Sequence, residues 1–143
     1  MTCPTKTAGR ALDLACGFGR HAIWLHQQGW SVTAVDRNAE AIAQLRTDWP
    51  GIDARVVDLE LESYLVAADE YDLIVCWLYH QPDLYPRIRS AVRAGGIAAL
   101  CVLREGRFAA SKGELLTHFP GWKILDEEET SARQVLVLQR PVE

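Results

Sequence analysis

The chain has 143 residues, 49% hydrophobic and 24% charged, a composition typical of a folded globular protein. A chain of this length can form one domain with a full hydrophobic core, without disulfides or a structural metal. The net charge of −4 argues against broad binding to nucleic acid or to anionic membranes, so a small-molecule partner is the simpler expectation. We therefore expect a single domain over residues 1–143.

The sequence shows no export or membrane signal. The N-terminal residues contain no apolar segment that could serve as a signal peptide. The longest apolar runs, Leu73–Tyr79 and Gly96–Leu103, are far short of the ~20 residues that span a bilayer. The cysteines lack C-x-x-C spacing and are typical of reduced, buried thiols. We expect a cytoplasmic protein.

Strands and helices alternate along the first half of the chain. Hydrophobic patterning predicts strands at Ala11–Leu14, Ser31–Val35 and Ala54–Val57. It also predicts helices at Gly19–Gln28 and Ala39–Trp49, closed by Gly29 and by Pro50-Gly51. Such alternation indicates an α/β fold with a parallel sheet covered on both faces.

The second half continues this alternation. The pattern predicts a short helical turn at Ser63–Ala67 and a strand at Tyr71–Trp77, followed by a break at residues 80–83. A helix is then expected to run to about Arg93, and a strand to follow at Ile97–Leu103. Ala94-Gly95-Gly96 is expected to end the helix that runs to about Arg93. Ser111 and Glu114 have the spacing of a capping box, which predicts a helix from there to about Phe119.

The chain ends in two strands that lie close together in sequence. Trp122–Glu128 and Arg133–Gln139 are separated by too few residues for a crossover helix, so this pair is expected to be antiparallel. A terminal antiparallel hairpin is unlike a dinucleotide-binding sheet that stays parallel throughout.

The most informative segment is the glycine turn that follows the first strand. Gly17 and Gly19 allow a tight turn and leave no Cβ between the main chain and a ligand. Asp36 ends the second strand, about twenty residues further on, where a carboxylate can hold the two hydroxyls of a ribose. Together these features predict a nucleoside-containing cofactor.

Two cofactor classes fit this turn. The spacing of Gly17, Gly19 and Ala22 satisfies the loose G-x-G-x-x-[GA] fingerprint of NAD or FAD. Asp13 argues against a dinucleotide, because a carboxylate there would repel a pyrophosphate. Asp58, at the end of the third strand, could accept a hydrogen bond from an adenine amino group. Carboxylates at three neighbouring strand ends favour a positively charged adenosyl ligand such as S-adenosylmethionine.

A family resemblance rests on five segments in the expected order. They read L-D-L-A-C-G-F-G-R-H-A-I-W-L at 12–25, V-T-A-V-D at 32–36, R-V-V-D-L at 55–59, Y-D-L-I-V at 71–75 and R-A-G-G-I at 93–97. The chain resembles the class I S-adenosylmethionine-dependent methyltransferases, and most of all their small tellurite-resistance-type (TehB-like) branch. The resemblance implies a Rossmann-like, doubly wound sheet of seven strands in the order 3-2-1-4-5-7-6.

The resemblance also implies roles for individual residues. The turn would face the methionine part of S-adenosylmethionine through Asp13, Ala15, Cys16, Gly17, Gly19 and Arg20. Asp36 would hold the ribose hydroxyls and Arg37 would flank the adenine. Asp58 and the Leu59 N–H would bind the adenine edge, and Trp77 would lie below the transferred methyl group.

The chain departs from the family pattern at two places. Ala15 replaces the first glycine of the family, which a negative φ would tolerate. Few residues precede the first strand, so we expect the family's N-terminal helix, which helps to cover the acceptor pocket, to be reduced or absent. This second departure favours an alternative, a non-catalytic or partner-dependent S-adenosylmethionine-binding module. An NAD-dependent oxidoreductase is a third and more remote hypothesis.

The acceptor is expected to be a small molecule, for example a thiol or a chalcogen oxyanion such as tellurite. These need no strong base, whereas a hydroxyl or amine acceptor does. His80 is the best-placed titratable group for that role, and Arg104 could attract an anionic acceptor. The remaining histidines have no metal-ligand spacing, so no metal is expected. Without the N-terminal helix, the apolar opening of the acceptor pocket would be exposed, which would favour a homodimer.

Overall fold

The computed structural model describes residues 9–61, 64, 67–106, 109–110 and 113–142. The described residues form one seven-stranded sheet with helices between its strands. Its strands are β1 (Arg10–Leu14), β2 (Ser31–Asp36), β3 (Asp53–Val56), β4 (Tyr71–Trp77), β5 (Val92–Leu103), β6 (Lys123–Glu129) and β7 (Arg133–Gln139). The helices are α1 (Arg20–Gln27), α2 (Ala39–Asp48), α3 (Tyr85–Ala91) and α4 (Glu114–Thr117), and a 3₁₀ turn at Pro82–Leu84 precedes α3.

The strand order is β3-β2-β1-β4-β5-β7-β6, which confirms the order implied by the family resemblance. Neighbouring strands from β3 to β5 are parallel, whereas β7 is antiparallel to both β5 and β6. The carboxyl ends of β1 to β4 therefore meet along one edge of the sheet. That edge carries the residues that the sequence places at the cofactor site.

The core is divided between the two faces of the sheet. On one face α1 and α2 pack through Leu25, Ile42 and Leu45 against alternate residues of the central strands. On the other face α3 and α4 contribute Ile88 and Leu115. Buried strands with apolar side chains on both faces are typical of a parallel sheet covered by helices.

The boundary between α3 and β5 differs from the sequence-based expectation. The helix ends at Ala91 and the strand begins at once with Val92, so the Ala-Gly-Gly segment lies inside β5. Gly95 has φ +78°, and its N–H donates to the Arg140 carbonyl. The register between β4 and β5 shifts between Tyr71 and Leu73. The glycines thus accommodate an irregularity in the strand and do not end the helix.

The α4 helix is shorter than expected and ends at Thr117. The residue before it is Gly113, in the left-handed conformation, while Ser111 lies outside the described residues. Most of the predicted turn at Ser63–Ala67, and all of residues 1–8, also lie outside them. None of the described helices is long and apolar enough to cross a membrane.

Candidate functional site

A cavity of about 250 Å³ lies at the carboxyl ends of the strands, between the loops that follow β1, β2, β3 and β4. Four different loops contribute to its wall, as in ligand sites of open α/β sheets. The lining residues are Ala15, Asp36, Arg37, Asn38, Val57, Asp58, Leu59, Glu60 and Tyr79.

The turn after β1 is held by backbone hydrogen bonds. The Cys16 N–H donates to the Val35 carbonyl at 2.9 Å, and the Gly19 N–H donates to the Cys16 carbonyl at 3.0 Å. Ala15 adopts φ +55°, so the expectation of a negative φ at this residue is wrong. The chain must turn back immediately after β1, and these hydrogen bonds impose a left-handed conformation on alanine.

The two glycines of this turn are required for different reasons, one for access of a ligand and the other for helix packing. A Cβ added at Gly17 would meet no atom within 4 Å, so the main chain is open to a ligand there. A Cβ at Gly19 would lie 2.7 Å from Leu45 Cδ1. Gly19 thus allows α1 to pack closely on α2, a structural role next to the cavity.

Asp36 is oriented by the backbone at the edge of the cavity. Its Oδ1 accepts from the Gly17 N–H at 3.1 Å and its Oδ2 accepts from the Asn38 N–H at 2.9 Å. Each carboxylate oxygen has two lone pairs, so both oxygens retain one for a further donor. Asn38 in turn caps α2 by accepting from the N–H groups of Glu40 and Ala41. The aspartate is therefore presented in a fixed direction.

Asp58 and Leu59 line the wall formed by the loop after β3. Asp58 Oδ1 accepts from the Glu60 N–H at 3.0 Å, which tightens this loop. The Leu59 carbonyl accepts from Gln81 Nε2 at 2.9 Å. Within the described residues no acceptor is paired with the Leu59 N–H, so this donor remains available to a ligand.

Asp13 lies below the turn and not on the cavity wall. It is 1% exposed, and its Oδ2 has no hydrogen-bond partner among the described residues. Burial, reinforced by the nearby Asp36 carboxylate, raises the pKa of Asp13 to about 7, although the Ala22 N–H and Arg20 act in the opposite direction. Two of the three predicted aspartates line the cavity, and the third lies behind it.

The charged residues near the mouth are paired with neighbours. Arg37 contacts Glu60 across the cavity mouth, with 3.6 Å between Nη1 and Oε2. Arg20 is exposed at the start of α1, with its Nη2 3.5 Å from His21 Nε2. An ion pair this exposed contributes little to stability, so the Arg37 side chain can move at small cost.

Trp77 and Cys16 lie at the ends of the two central strands. The Trp77 ring packs against His21 with 5.0 Å between ring centroids, and both Trp77 and Cys16 pack against the core on the α1 side. Burial raises the pKa of the Cys16 thiol well above its usual range, so it is not a nucleophile at neutral pH.

Tyr79 is a lining residue that the sequence did not assign to the cofactor site. Its hydroxyl donates to the Gln81 side-chain oxygen, and Gln81 in turn holds the Leu59 carbonyl. This hydrogen-bonded chain joins the loop after β4 to the loop after β3. The only sequence signal was an aromatic residue just past a strand end, which does not distinguish a cavity wall from core packing.

The two residues proposed for catalysis lie away from the cavity wall. His80 is 9% exposed and contacts Tyr85 and Glu114 through its two ring nitrogens. Arg104 follows β5 and forms an ion pair with Glu129 at 2.7 Å. The structure thus places both residues in contacts with other protein side chains.

The fold and this site together define the class of protein. A doubly wound sheet with an antiparallel β7 beside β5, and with a nucleoside-sized cavity at its carboxyl edge, is the class I S-adenosylmethionine-dependent methyltransferase fold. Residues 11–96 match the family model described as "Methyltransferase domain". The chain belongs to this family, whose cofactor is S-adenosylmethionine.

Two curated relatives and one solved structure illustrate the similarity. Glycine N-methyltransferase of Rattus norvegicus is 31% identical over 114 residues, covering 64% of this chain and 39% of that protein. Malonyl-acyl-carrier-protein O-methyltransferase of Enterobacter lignolyticus is 27% identical over 135 residues, covering 91% of this chain and 50% of that protein. The chain thus spans half or less of the length of these relatives.

The crystal structure of TehB from Haemophilus influenzae has a TM-score of 0.82 to this chain at 18% identity. The alignment covers 93% of this chain and 58% of that one. At this level of identity the match shows a shared fold.

Proposed function

We propose that this chain is an S-adenosylmethionine-dependent methyltransferase that acts on a small-molecule acceptor. The observation that carries the proposal is Asp36, whose two oxygens are held by backbone N–H groups and keep lone pairs for a vicinal diol. The residues present fit the cofactor. Leu59, with its available N–H, and Asp58, with a second carboxylate, line the cavity, and the open main chain at Gly17 lies against Asp36 at its edge.

Each part of the site has a defined task in this proposal. Asp36 would accept hydrogen bonds from the ribose hydroxyls, while Asp58 and the Leu59 N–H would bind the adenine edge. The turn containing Ala15, Cys16 and Gly17 would approach the methionine part. When bound, S-adenosylmethionine supplies a sulfonium methyl group that is already activated for in-line transfer. The protein then contributes mainly alignment of the acceptor, worth about 7–11 kcal/mol in favourable cases.

The family does not fix the acceptor. The names of the two curated relatives specify methylation on nitrogen of glycine in one case and on oxygen of malonyl-acyl-carrier protein in the other. A thiol, or a chalcogen oxyanion such as tellurite, remains our proposal for this chain. The Arg104–Glu129 ion pair means that an anionic acceptor would have to compete with Glu129 for the guanidinium. Free thiols at Cys16, Cys76 and Cys101 support a reducing compartment such as the cytoplasm.

Calorimetry with S-adenosylhomocysteine tests the cofactor assignment. We expect saturable micromolar binding, no comparable binding of NAD, and a loss of roughly 1.5–3 kcal/mol in Asp36→Ala because charge-assisted hydrogen bonds are removed. Asp53→Ala removes an exposed carboxylate of β3 that is paired with Arg55, and serves as the matched control. Absence of saturable binding to the wild-type protein would overturn the proposal.

A panel of thiol, amine, hydroxyl and tellurite acceptors, added with methyl-labelled S-adenosylmethionine, then tests the acceptor class. Label transfer to one class identifies it. Binding of the cofactor without transfer to any acceptor would favour the alternative, a module that needs a partner protein.

A further inference from the structure

The segment Leu78–Gln81 joins β4 to the 3₁₀ turn and changes direction at its first residue. Leu78 has φ +59°, and its N–H donates to the Cys101 carbonyl at 2.7 Å. A leucine in this conformation is strained and persists only where its surroundings impose it. Contacts made by the next residues, Tyr79 to Gln81, must therefore stabilise this conformation.

The side chains of Tyr79 and His80 lie on opposite sides of this segment. Tyr79 lines the cofactor cavity, and Gln81 binds the Leu59 carbonyl on the same wall. His80 points the other way, between α3 and α4. His80 thus connects the segment behind the cavity wall to both α3 and α4.

His80 is held by both ring nitrogens. Its Nδ1 is 2.6 Å from the Tyr85 hydroxyl on α3, and its Nε2 is 2.8 Å from Glu114 Oε2 on α4. Burial raises the pKa of Tyr85 well above its usual range, so the phenol keeps its proton. In the neutral tautomer that satisfies both contacts, the phenol donates to Nδ1 and the Nε2 N–H donates to the Glu114 carboxylate.

Aromatic rings and a backbone hydrogen bond surround this network. The rings of Tyr85 and His118 lie 4.7 Å apart, and Phe119 packs against Tyr85 at 5.7 Å. Arg89 of α3 donates to the His118 carbonyl at 2.6 Å, which fixes the end of α4 to α3.

We propose that His80 is a positioning residue: held by Tyr85 and Glu114, it sets the position of Tyr79 and thereby the shape of the cofactor cavity. Both ring nitrogens of His80 contact protein side chains, so the ring presents neither nitrogen to an acceptor. The inference rests on the proposed function, because it assigns the cavity to S-adenosylmethionine. It adds that α4, far away in sequence, controls how well that cavity is formed.

Binding of S-adenosylhomocysteine to Glu114 variants tests this role. Glu114→Ala leaves the His80 N–H without its acceptor and should weaken binding about tenfold, whereas Glu114→Gln retains an acceptor oxygen and should stay within about twofold of wild type. Ile88→Val trims the buried face of α3 without touching the network. It should lower Tm but leave the affinity unchanged. Wild-type affinity in Glu114→Ala would overturn the proposal.

Hydrogen exchange provides a readout that does not depend on the cofactor. The amides of residues 78–81 should exchange faster in Glu114→Ala than in Ile88→Val, and equal exchange in these two variants would also overturn the proposal. If Glu114→Ala does not fold, Tyr85→Phe removes one hydrogen bond and should weaken binding about threefold to tenfold. If wild type binds no S-adenosylhomocysteine, the proposed function fails, while hydrogen exchange still decides whether His80 positions the loop.

Discussion

Ala15 holds a conformation that glycine adopts at much lower cost. Its φ of +55° brings its Cβ close to the following carbonyl oxygen, which costs roughly 1–2 kcal/mol in an L-residue. Ala15→Gly relieves this strain but makes the unfolded chain more flexible, so we expect the free energy of unfolding to rise by about 0.5–1 kcal/mol. Urea denaturation measures the change.

Ala43→Gly provides the control for that substitution. Ala43 is exposed within α2, where the backbone is right-handed, so glycine should lower stability by about 1 kcal/mol. Opposite signs for the two alanine-to-glycine changes are the expected result. A loss of stability in both would show that the left-handed strain at Ala15 is not a significant cost.

Asp13 makes stability depend on pH. Its pKa is about 7 in the folded protein against an ordinary value near 3.8, because burial disfavours the carboxylate. Between these two values the unfolded chain releases the proton while the folded protein retains it. Stability should therefore fall as the pH rises from about 4 to about 7, by at most ~4 kcal/mol at ~1.4 kcal/mol per pH unit.

Asp13→Asn isolates this contribution. Asparagine is neutral and similar in shape, so the variant should lose this fall and exceed wild type in stability above pH 7. Urea unfolding of both proteins at pH 4 and pH 8 is the measurement, and the other carboxylates cancel in the difference. Parallel pH profiles for the two proteins would contradict the raised pKa.

Among the elements, β6 shows how a sheet edge is kept from pairing with another chain. It is the last strand of the sheet, and all of its residues are exposed. Four successive carboxylates occupy Asp126–Glu129. A second copy pairing along this edge would bring like charges together, so the run acts against edge-to-edge association.

Replacing Asp126, Glu127 and Glu128 together with threonine should make the protein self-associate, because threonine favours strands and removes the repulsion. Light scattering over a concentration series measures the change in mass. The control replaces Glu40, Asp48 and Asp83 with threonine, which alters the net charge equally away from β6. Equal association of the two variants would attribute the effect to net charge and not to the edge.

The elements also show where sequence patterns are informative. The alternation of apolar strands and amphipathic helices predicted β1 to β4 within a residue or two, because local periodicity determines them. The predicted start of β5 at Ile97 was wrong, because Gly95 was interpreted as part of a helix end. Its conformation depends on a hydrogen bond to Arg140, which lies far away in sequence. Local patterns carry no information about such a partner.

For the molecule as a whole, the strand order followed from the family motifs and the short link before β7. The position of Asp36 at the cavity followed from the same turn-to-strand spacing. The contacts among Tyr79, Gln81 and Leu59 could not be predicted, because each depends on how two loops meet in space. The burial of Asp13 could not be predicted either, since a strand-end carboxylate can point into a cleft or beneath it.

The homodimer expected from an exposed apolar acceptor pocket remains a prediction.

The cavity wall has a consequence for how such a protein can diverge. Its lining residues all fall between Ala15 and Tyr79, in the first part of the chain. Under the proposed function, the loops of the later part, from β5 to β7, can therefore change without replacing any residue that lines the cavity. The contact between His80 and Glu114 joins the two parts, so a change in the later part would reach the cavity wall there. A lineage that changes its acceptor should keep this pair, or replace both members together.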